Sequence, residues 1–389
     1  MVRTKRMIAV VLAASILLGG CWNARDIEQL IYIDAIGVDY VNHKVVVYLQ
    51  ILGFSNIAKK ESNTQLTREP VSVAKGEGDT YVSAIYQIYT TTQQRLIWSH
   101  VHSIVFTERA LKHGKFDQVM DALDRYQEFR YSVWSFATKE SLEDVFNARP
   151  ILGISVLYSQ LADPKDIYGQ FSYIRPLLLF RVISERNEPN GVVRLPFLSV
   201  EKKPWTENKK PLPQLKINEI CFLQNKELKG CFPHEQVAGV RWLEKETRRT
   251  LLKPKGKETA LLVMENPLPK IIPSLEGGRP AFRVSIKTSG YVTQLFQPTP
   301  ITLLEKDAAR QIEAEVRSLY ERGLKLGVDT LGLGHSFYRR FPREWHHLNQ
   351  EGVLPLTPDS LKSIEVEVKI TDGGISKVRQ RKTGADDRR

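Results

Sequence analysis

The sequence predicts an α+β fold with two or more domains, in which mixed or antiparallel sheets are flanked by helices. Three observations support this class. Several short segments alternate apolar and polar residues with the period of two that is typical of strands. Other segments repeat apolar residues at the spacing of an α-helix. The two kinds of segment do not alternate regularly along the 389 residues, which disfavours a doubly wound parallel sheet.

A β-hairpin is predicted near the start of the chain. Residues Leu30–Val38 form a strand-like run, Asp39–His43 a turn, and Lys44–Leu52 a second strand rich in Val, Tyr and Ile. The next interval, Asn56–Thr80, is polar and contains proline and glycine, so it is predicted mostly as loop. The first sheet is therefore expected to begin with an antiparallel pair.

Helices and strands then follow one another up to residue 200. Tyr81–Thr91 is predicted as a helix because Tyr81, Ala84, Ile85 and Ile88 share one face. The other elements predicted in this half are strands at Leu96–Phe106 and Tyr131–Thr138 and helices at Phe116–Phe129, Leu142–Asn147 and Ile154–Leu161.

A domain boundary is predicted at residues 201–213, which read EKKPWTENKKPLP. This interval is dense in lysine and proline and poor in apolar residues, as linkers are. The predicted parts of the chain are a signal peptide at 1–20, an N-terminal α+β domain at 21–200, the linker at 201–213, a C-terminal α+β domain at 214–375 and a disordered tail at 376–389.

The second half is predicted to open with a hairpin, Leu215–Leu223 and Glu227–Phe232, around residues 224–226. A helix is expected at His234–Lys245. Strands are expected at Thr259–Met264, Pro280–Lys287, Tyr291–Leu295 and Ile364–Ile370, the last with an alternation of apolar and charged residues.

The longest helix is predicted to begin at Thr302 and to stop at Gly327. Thr302 and Glu305 match a capping box, and a glycine at the end suits a C-terminal cap. Glu313 and Arg317 have the spacing of a favourable ion pair. The expected apolar face consists of Leu304, Ala308, Ile312, Val316, Leu319 and Tyr320.

The first twenty-one residues have the features of an export leader. Three cations precede the apolar run Met7–Leu18, which is shorter than the ~20 residues that a membrane-spanning helix needs. The run ends in Leu18-Gly19-Gly20-Cys21, which resembles the lipobox of bacterial lipoproteins. Cleavage between Gly20 and Cys21 and a lipid on Cys21 are therefore predicted, and acyl chains on that cysteine would anchor the protein to a membrane. The alternative is an ordinary signal peptide with an incidental cysteine.

The composition narrows the possible binding partners and the interactions that can stabilise the fold. The formal charge is +12, and loss of Arg3, Lys5 and Arg6 with the leader leaves 12 − 3 = +9. A basic exported protein is attracted to lipid headgroups or cell-wall polymers, and the absence of a nucleic-acid motif argues against nucleic acid. Three cysteines are too few for a scaffold held by disulfides, so burial must stabilise the fold.

The pairing of two cysteines in the second half is left open by the sequence. A three-residue loop, Asn225–Glu227, would place Cys221 opposite Cys231 across the predicted hairpin, where a disulfide is possible. A shifted register would separate them.

Six basic residues are expected to form a solvated face, with contact to lipid headgroups as the alternative. They are Lys202, Lys203, Lys209, Lys210, Arg248 and Arg249.

Other residue patterns favour structural roles over chemistry. Gly332-x-Gly334 lacks the third glycine of a dinucleotide loop and follows a helix, so a tight turn is expected. His100 and His102 share one side of a predicted strand, and structural roles are favoured over a metal site.

A charged cluster near the middle of the first half is also interpreted structurally. Arg125, Glu128 and Arg130 are expected to form an ion-pair network. No triad, nucleophile elbow or zinc-protease motif is present in the sequence. No catalytic residue, metal or cofactor is therefore predicted.

The order of several motifs resembles the Ger(x)C family, the lipoprotein C subunits of spore germinant receptors. The matching residues are Cys21-Trp22 behind the lipobox, Gly37-Val38-Asp39 at the end of the first strand, Ser99-His100, Arg125-x-x-Glu128-x-Arg130, the turn Asp329-x-x-Gly332-x-Gly334 and Phe341-Pro342-Arg343-Glu344-Trp345. The resemblance extends over most of the chain that follows the leader.

This resemblance implies a function that involves no catalysis. It implies a lipid-anchored, non-enzymatic subunit of a nutrient germinant receptor, needed to trigger germination. The implied partners are two integral membrane subunits, A and B, and the implied location is the outer face of the spore inner membrane. The alternative is the solute-binding lipoprotein of a transporter, although the two α/β lobes of that class are not indicated by the order of elements.

Overall fold

The computed structural model describes residues 30–52, 71–125, 128–254 and 260–371. Within these ranges the protein has the predicted α+β fold, with two large sheets and helices packed against them. Gly20, Cys21, the rest of the predicted leader and the predicted tail at 376–389 lie outside the described residues. No helix in the described ranges has the length and apolar character needed to cross a bilayer.

The described strands are β1 (Leu30–Val41), β2 (Lys44–Leu52), β3 (Val71–Gly78), β4 (Arg95–Ile97), β5 (Ser103–Thr107), β6 (Trp134–Thr138), β7 (Leu177–Leu178), β8 (Val192–Glu201), β9 (Thr206–Glu207), β10 (Lys210–Pro211), β11 (Gln214–Gln224), β12 (Glu227–Pro233), β13 (Thr250–Leu252), β14 (Ala260–Glu276), β15 (Arg279–Leu295) and β16 (Leu361–Thr371). The first sheet has ten strands along the path β12-β11-β8-β6-β5-β1-β2-β3, with β4 beside β1 and β7 beside β6. The second sheet has the order β13-β14-β15-β16.

The described α-helices are α1 (Tyr81–Tyr89), α2 (Glu108–Lys112), α3 (Lys115–Asp124), α4 (Leu142–Asn147), α5 (Lys165–Gln170), α6 (Leu179–Asn187), α7 (Ile301–Leu326), α8 (Leu333–Arg340) and α9 (Pro342–Leu348). Short 3-10 helices occur at Ile151–Gly153, Val156–Tyr158, His234–Gln236, Ala238–Trp242 and Pro358–Ser360.

The predicted N-terminal hairpin and the helix after it are confirmed. Strands β1 and β2 pair antiparallel through a tight turn in which Asn42 and His43 have φ angles of 50° and 62°. Helix α1 buries the four residues predicted to share its face. Its first turn is capped by Thr80, whose hydroxyl accepts a hydrogen bond of 3.1 Å from the Ser83 amide.

Strand β3 corrects the prediction of a loop up to Thr80. It pairs antiparallel with β2 over its whole length. A β-carbon at Gly76 would lie 2.1 Å from the carbonyl oxygen of Ala84, so glycine lets α1 pack closely on this strand. The glycine that indicated a loop in the sequence therefore marks a close approach between a strand and a helix.

Several predicted elements in the first half are shorter than expected. The strand predicted at Leu96–Phe106 is divided into β4 and β5, and the helix predicted at Phe116–Phe129 ends at Asp124. Between β4 and β5 the His102 amide donates to the Asp34 carbonyl and the His102 carbonyl accepts from the Trp134 amide. Irregular backbone is stable there because these long-range bonds satisfy it.

The predicted linker contains a small hairpin of its own, β9 and β10. On either side of it, β8 and β11 pair antiparallel from Glu201 with Gln214 to Val192 with Gln224. The first sheet therefore continues through the predicted boundary, and β11 and β12 extend it. The division into domains at 201–213 stays a prediction.

Strand β11 forms a wall between two hydrophobic cores because alternate side chains point to opposite faces. Cys221 and Leu223 belong to the core of the first sheet, which also contains residues of α1, α3 and α6. Ile220 and Phe222 pack in the core that also contains the second sheet and α7. The two halves of the chain thus share one strand.

In the second sheet, β14 and β15 form a long antiparallel hairpin and β16 lies parallel to β15. The strands predicted at Pro280–Lys287 and Tyr291–Leu295 are one continuous strand, and the element predicted as a helix at His234–Lys245 consists of 3-10 turns. Strand β16 has the predicted alternation of exposed and covered residues.

Helix α7 buries all six residues of its predicted apolar face, and Gly327 ends it in the left-handed region at φ 63°. The predicted start is wrong. Pro300 is the N-terminal cap residue, so Thr302 lies inside the first turn and makes no capping bond. Glu305 instead accepts a hydrogen bond of 2.9 Å from the Ile370 amide, which ties α7 to β16.

Candidate functional site

A buried polar junction connects the two halves of the chain. Asp329, between α7 and α8, is 2% exposed. Its carboxylate accepts hydrogen bonds from the amides of Leu333 and Gly334 at 3.0 and 2.7 Å, and from Nδ2 of Asn190 at 2.9 Å. Burial raises the pKa of this carboxyl, while the amides that point at it act in the opposite direction.

The Asp-x-x-Gly-x-Gly motif is the turn that builds this junction, as predicted for Gly332-x-Gly334. Gly332 has a φ angle of 74°, in the left-handed region that glycine tolerates. A β-carbon at Gly334 would lie 2.2 Å from the amide carbon of Asn190. The second glycine therefore gives Asn190 room to reach Asp329.

Asn190 contacts two separate segments of the second half. Besides its bond to Asp329, its Oδ1 accepts a hydrogen bond of 2.6 Å from the Leu354 amide. Gln224, at the end of β11, accepts a bond of 3.1 Å from the Asp329 amide through Oε1. The side chains of Asn190, two residues before β8, and of Gln224 on β11 thus hold the loops around α8 in place.

An ion-pair network extends from this junction to the surface. Arg194 donates to Glu244 at 2.7 Å and to the Thr330 carbonyl at 3.1 Å. Arg175 lies 3.3 Å from the same Glu244, 2.9 Å from Glu185 and 3.3 Å from the exposed Glu246. Two guanidinium groups therefore face three carboxylates across the two halves.

Burial and charge act against each other in this network. Burial alone lowers the pKa of Arg175, but its three carboxylate neighbours outweigh that effect and raise it. Burial raises the pKa of Glu185, and Arg175 and Arg194 offset part of the rise. The three carboxylates around Arg175 come from both halves, so the network is a directional contact between them.

A cavity of about 550 Å³ opens beside Arg175. Its lining is mainly charged and aromatic and comes from both halves of the chain. It includes Trp134, Lys165, Phe180, Arg181, Glu246 and Arg248. Of the predicted basic face, Arg248 thus lines a cavity between the halves, whereas the four lysines of 201–213 are exposed.

Cys221 and Cys231 are Cα partners across β11 and β12 and are joined by a disulfide. The turn contains two residues, Asn225 and Lys226, and not the three that the predicted register required. A bulge at Lys229 adds the missing residue, because Phe222 pairs with Gly230 and Leu223 with Leu228. The cysteines therefore meet for a reason other than the predicted one.

The two histidines do not share a face of a strand, since the chain between β4 and β5 is irregular. His102 Nδ1 lies 2.7 Å from Oδ1 of the buried Asp34, and this bond raises the pKa of His102. The His100 ring packs edge-on against Tyr32. No group of three His, Cys, Asp or Glu residues arranged for a metal occurs within the described ranges.

Arg125, Glu128 and Arg130 do not pair with one another. Arg125 contacts Asp121 at 2.9 Å and Glu128 contacts Arg95 at 2.7 Å, both on the surface. The larger network around Arg175 and Arg194 was missed because its members are dispersed in sequence. Asn190 was missed because, between Pro189 and Gly191, it has only the signal of a turn.

Comparisons with known proteins cover both halves of the chain. Residues 23–200 match the family described as "Spore germination protein N-terminal domain", and residues 218–374 match "Spore germination B3/ GerAC like, C-terminal". The first match begins two residues after Cys21.

Two curated proteins of Bacillus subtilis (strain 168) are similar over most of their length. Spore germination protein KC is 24% identical over 395 aligned positions, covering 96% of this chain and 97% of that protein. Spore germination protein B3 is 21% identical over 334 positions, covering 85% of each.

The solved structure titled "Crystal Structure of the GerBC protein" has the same fold, with a TM-score of 0.50 and 16% identity over 89% of this chain and 99% of that one. The similarities favour a germination protein over the solute-binding alternative, because both matched families are described as spore germination proteins. The two family matches, which together cover most of the chain, show that it belongs to the Ger(x)C family of spore germination proteins.

Proposed function

We propose that this protein is the lipid-anchored, non-enzymatic subunit of a nutrient germinant receptor in the spore inner membrane. The observation that carries the proposal is the pair of family matches, which together extend from residue 23 to residue 374. The relatives are named as spore germination proteins and are similar over 96% and 85% of this chain, so the proposed role is assigned to the chain as a whole rather than to one of its halves.

The proposed anchor is a lipid on Cys21 after removal of residues 1–20. The leader pattern supports this cleavage, and the N-terminal family match begins just beyond the cysteine. Eight residues, 22–29, lie between Cys21 and Leu30, the first described residue of β1. The protein would lie on the outer face of the membrane beside integral subunits A and B.

The proposed activity is assembly and signal transmission. The polar junction supports this role because directional hydrogen bonds and ion pairs fix the relative position of the two halves. A change imposed on one half by a partner would reach the other through Asn190, Arg194 and β11.

The test uses spores that carry Cys21→Ala, with Trp22→Phe as a control that keeps the cysteine. We expect Cys21→Ala to remove the protein from the inner-membrane fraction and to abolish nutrient-triggered germination, because one lipid-modified residue is the proposed attachment. Trp22→Phe should leave both unchanged. Normal retention and germination in Cys21→Ala spores would contradict the anchor, and normal germination in spores lacking the whole chain would contradict the receptor role.

A further inference from the structure

An apolar groove of about 290 Å³ lies where β8 ends and β11 begins. It is lined by Ile154, Tyr158, Ile167 and Trp205, which are 46%, 70%, 45% and 48% exposed. Leu152, beside the groove residue Ile151, is 78% exposed. We call these five exposed side chains the apical groove. Contiguous exposed apolar side chains on a folded protein mark an interaction site, because their contact with water is unfavourable.

The backbone at Leu152 strengthens this interpretation. Its φ angle is 58°, in the left-handed region that a leucine rarely adopts. The loop thus holds this leucine in a disfavoured backbone conformation with its side chain in water. Such a combination is expected where a loop is shaped for a partner.

Charge around the apical groove indicates the kind of partner. The segment 201–213, which contributes Trp205, has four exposed lysines and two glutamates. Arg149 also lines the groove. An apolar groove with this excess of positive charge in and beside it is complementary to an apolar segment flanked by acidic residues.

The position of the apical groove favours a protein over a lipid surface. Strands β1, β5, β6 and β8 run parallel to one another. Leu30 is at the start of β1, whereas Trp205 follows the end of β8, so the two are at opposite ends of the first sheet. A strand as long as β1 spans roughly 40 Å, and the nine Cα–Cα steps from Cys21 to Leu30 reach at most about 30 Å. The apical groove therefore lies at the end of the first sheet that is farther from the proposed anchor at Cys21.

We propose that the apical groove binds an apolar segment with acidic flanks in the extracytoplasmic part of another subunit of the same receptor. This assignment rests on the proposed function and adds the surface through which the subunit assembles. Tyr158 and Trp205 are the expected anchors, because large aromatic side chains contribute most to protein interfaces.

The first experiment purifies the tagged full chain from solubilised spore membranes and quantifies the co-purified receptor subunits by mass spectrometry. We expect the double variant Tyr158→Glu/Trp205→Glu to lose about tenfold or more of these subunits. Leu268→Glu is the matched control, since Leu268 is 62% exposed on β14 and does not line the groove. It should co-purify as the unmodified chain does. Thermal unfolding of each variant checks that the fold is intact.

A second experiment keeps the groove close to native by placing a photo-crosslinking amino acid at Leu152 or, as the control, at Leu268. An adduct with an integral receptor subunit from position 152 only is the expected result. An adduct with a second copy of this chain would overturn the proposal. So would binding of the full chain carrying Cys21→Ala to phosphatidylglycerol vesicles that depends on Tyr158 and Trp205.

The outcomes separate this proposal from the proposed function. If the double variant retains its partners and germination while deletion of the chain abolishes germination, the receptor role stands and the apical groove is not its docking surface. If deletion has no effect on germination, the receptor role itself fails.

Discussion

Asn190 and Asp329 are 139 residues apart in sequence, yet Nδ2 of Asn190 donates a buried hydrogen bond of 2.9 Å to Oδ2 of Asp329. Asn190 lies in the region that matches the N-terminal family and Asp329 in the region that matches the C-terminal one. Because β11 also contributes to both cores, the two halves are expected to unfold together and not as independent units.

Asn190→Ala is expected to lower the free energy of unfolding by about 2–3 kcal/mol. The change leaves the buried Asp329 carboxylate and the Leu354 amide each without one partner, and unsatisfied buried groups are costly. Urea denaturation measures the effect. Asn147→Ala removes a hydrogen bond on the surface and is the control, with an expected loss below about 0.5 kcal/mol. Equal losses in both variants would mean that the junction contributes no special stability.

Gly334→Ala is expected to be strongly destabilising, by about 2 kcal/mol or more, because the added methyl group would overlap the amide of Asn190. In the Asn190→Ala variant, Gly334→Ala should lower the free energy of unfolding by less, because the side-chain amide that the added methyl group would overlap is absent. A double-mutant cycle measured by urea denaturation tests this coupling. Additive effects of the two substitutions would show that Gly334 does not make room for Asn190.

Two glutamates on α7, one paired with a buried arginine and one with an exposed arginine, allow the effect of burial on the strength of an ion pair to be measured. Glu315 accepts hydrogen bonds from Arg241 at 2.9 and 3.1 Å and from Trp242 at 2.7 Å, and Arg241 is almost fully buried. Glu315→Gln is expected to cost about 3 kcal/mol, because it leaves a buried guanidinium without a counter-charge.

Glu313→Gln, the control on the same helix, breaks only the exposed pair with Arg317 and should cost about 0.3–0.5 kcal/mol. Thermal or urea unfolding of both variants gives the comparison. A cost for Glu315→Gln that is no larger than that of the control would show that the buried pair contributes little.

The bond between His102 and Asp34 is expected to make stability depend on pH. The pKa of His102 is raised above 6.5 in the folded chain, so its contribution is complete below pH 6.5 and is lost as the pH rises through the folded value. The difference in urea midpoint between the native chain and His102→Gln should therefore shrink from pH 5.5 to pH 8.5.

In an Asp34→Asn background, the partner that raises the pKa is removed, and the same His102→Gln comparison should show little change with pH. A pH dependence that persists in this background would assign the effect to another group.

The disulfide between Cys221 and Cys231 is expected to form in the exported protein. Alkylation of the unfolded, unreduced chain should leave both cysteines unmodified, as mass spectrometry would show. Closing a loop with a sequence separation of 10 residues restricts the unfolded chain and should add about 2–3 kcal/mol of stability, measured with and without reductant. Alkylation of both thiols before reduction would contradict the pairing.

The sequence by itself determined the elements whose signals are local. The N-terminal hairpin, the buried face of α1, the six-residue apolar face of α7 and the alternation of β16 followed from periodicity, because a helix or strand repeats its core contacts at a fixed spacing. The order of the motifs from Cys21 to Trp345 was likewise sufficient to indicate the family that the comparisons show.

Tertiary structure alone decided the features that depend on distant partners. Strand β3 forms because it pairs with β2. Glu305 accepts a hydrogen bond from the backbone of β16 and does not cap α7. The cysteines meet because a bulge at Lys229 shifts the register. Asn190 becomes the centre of the junction only when folding brings Asp329 and Leu354 to it, since hydrogen bonds between residues far apart in sequence leave no periodic trace in the chain.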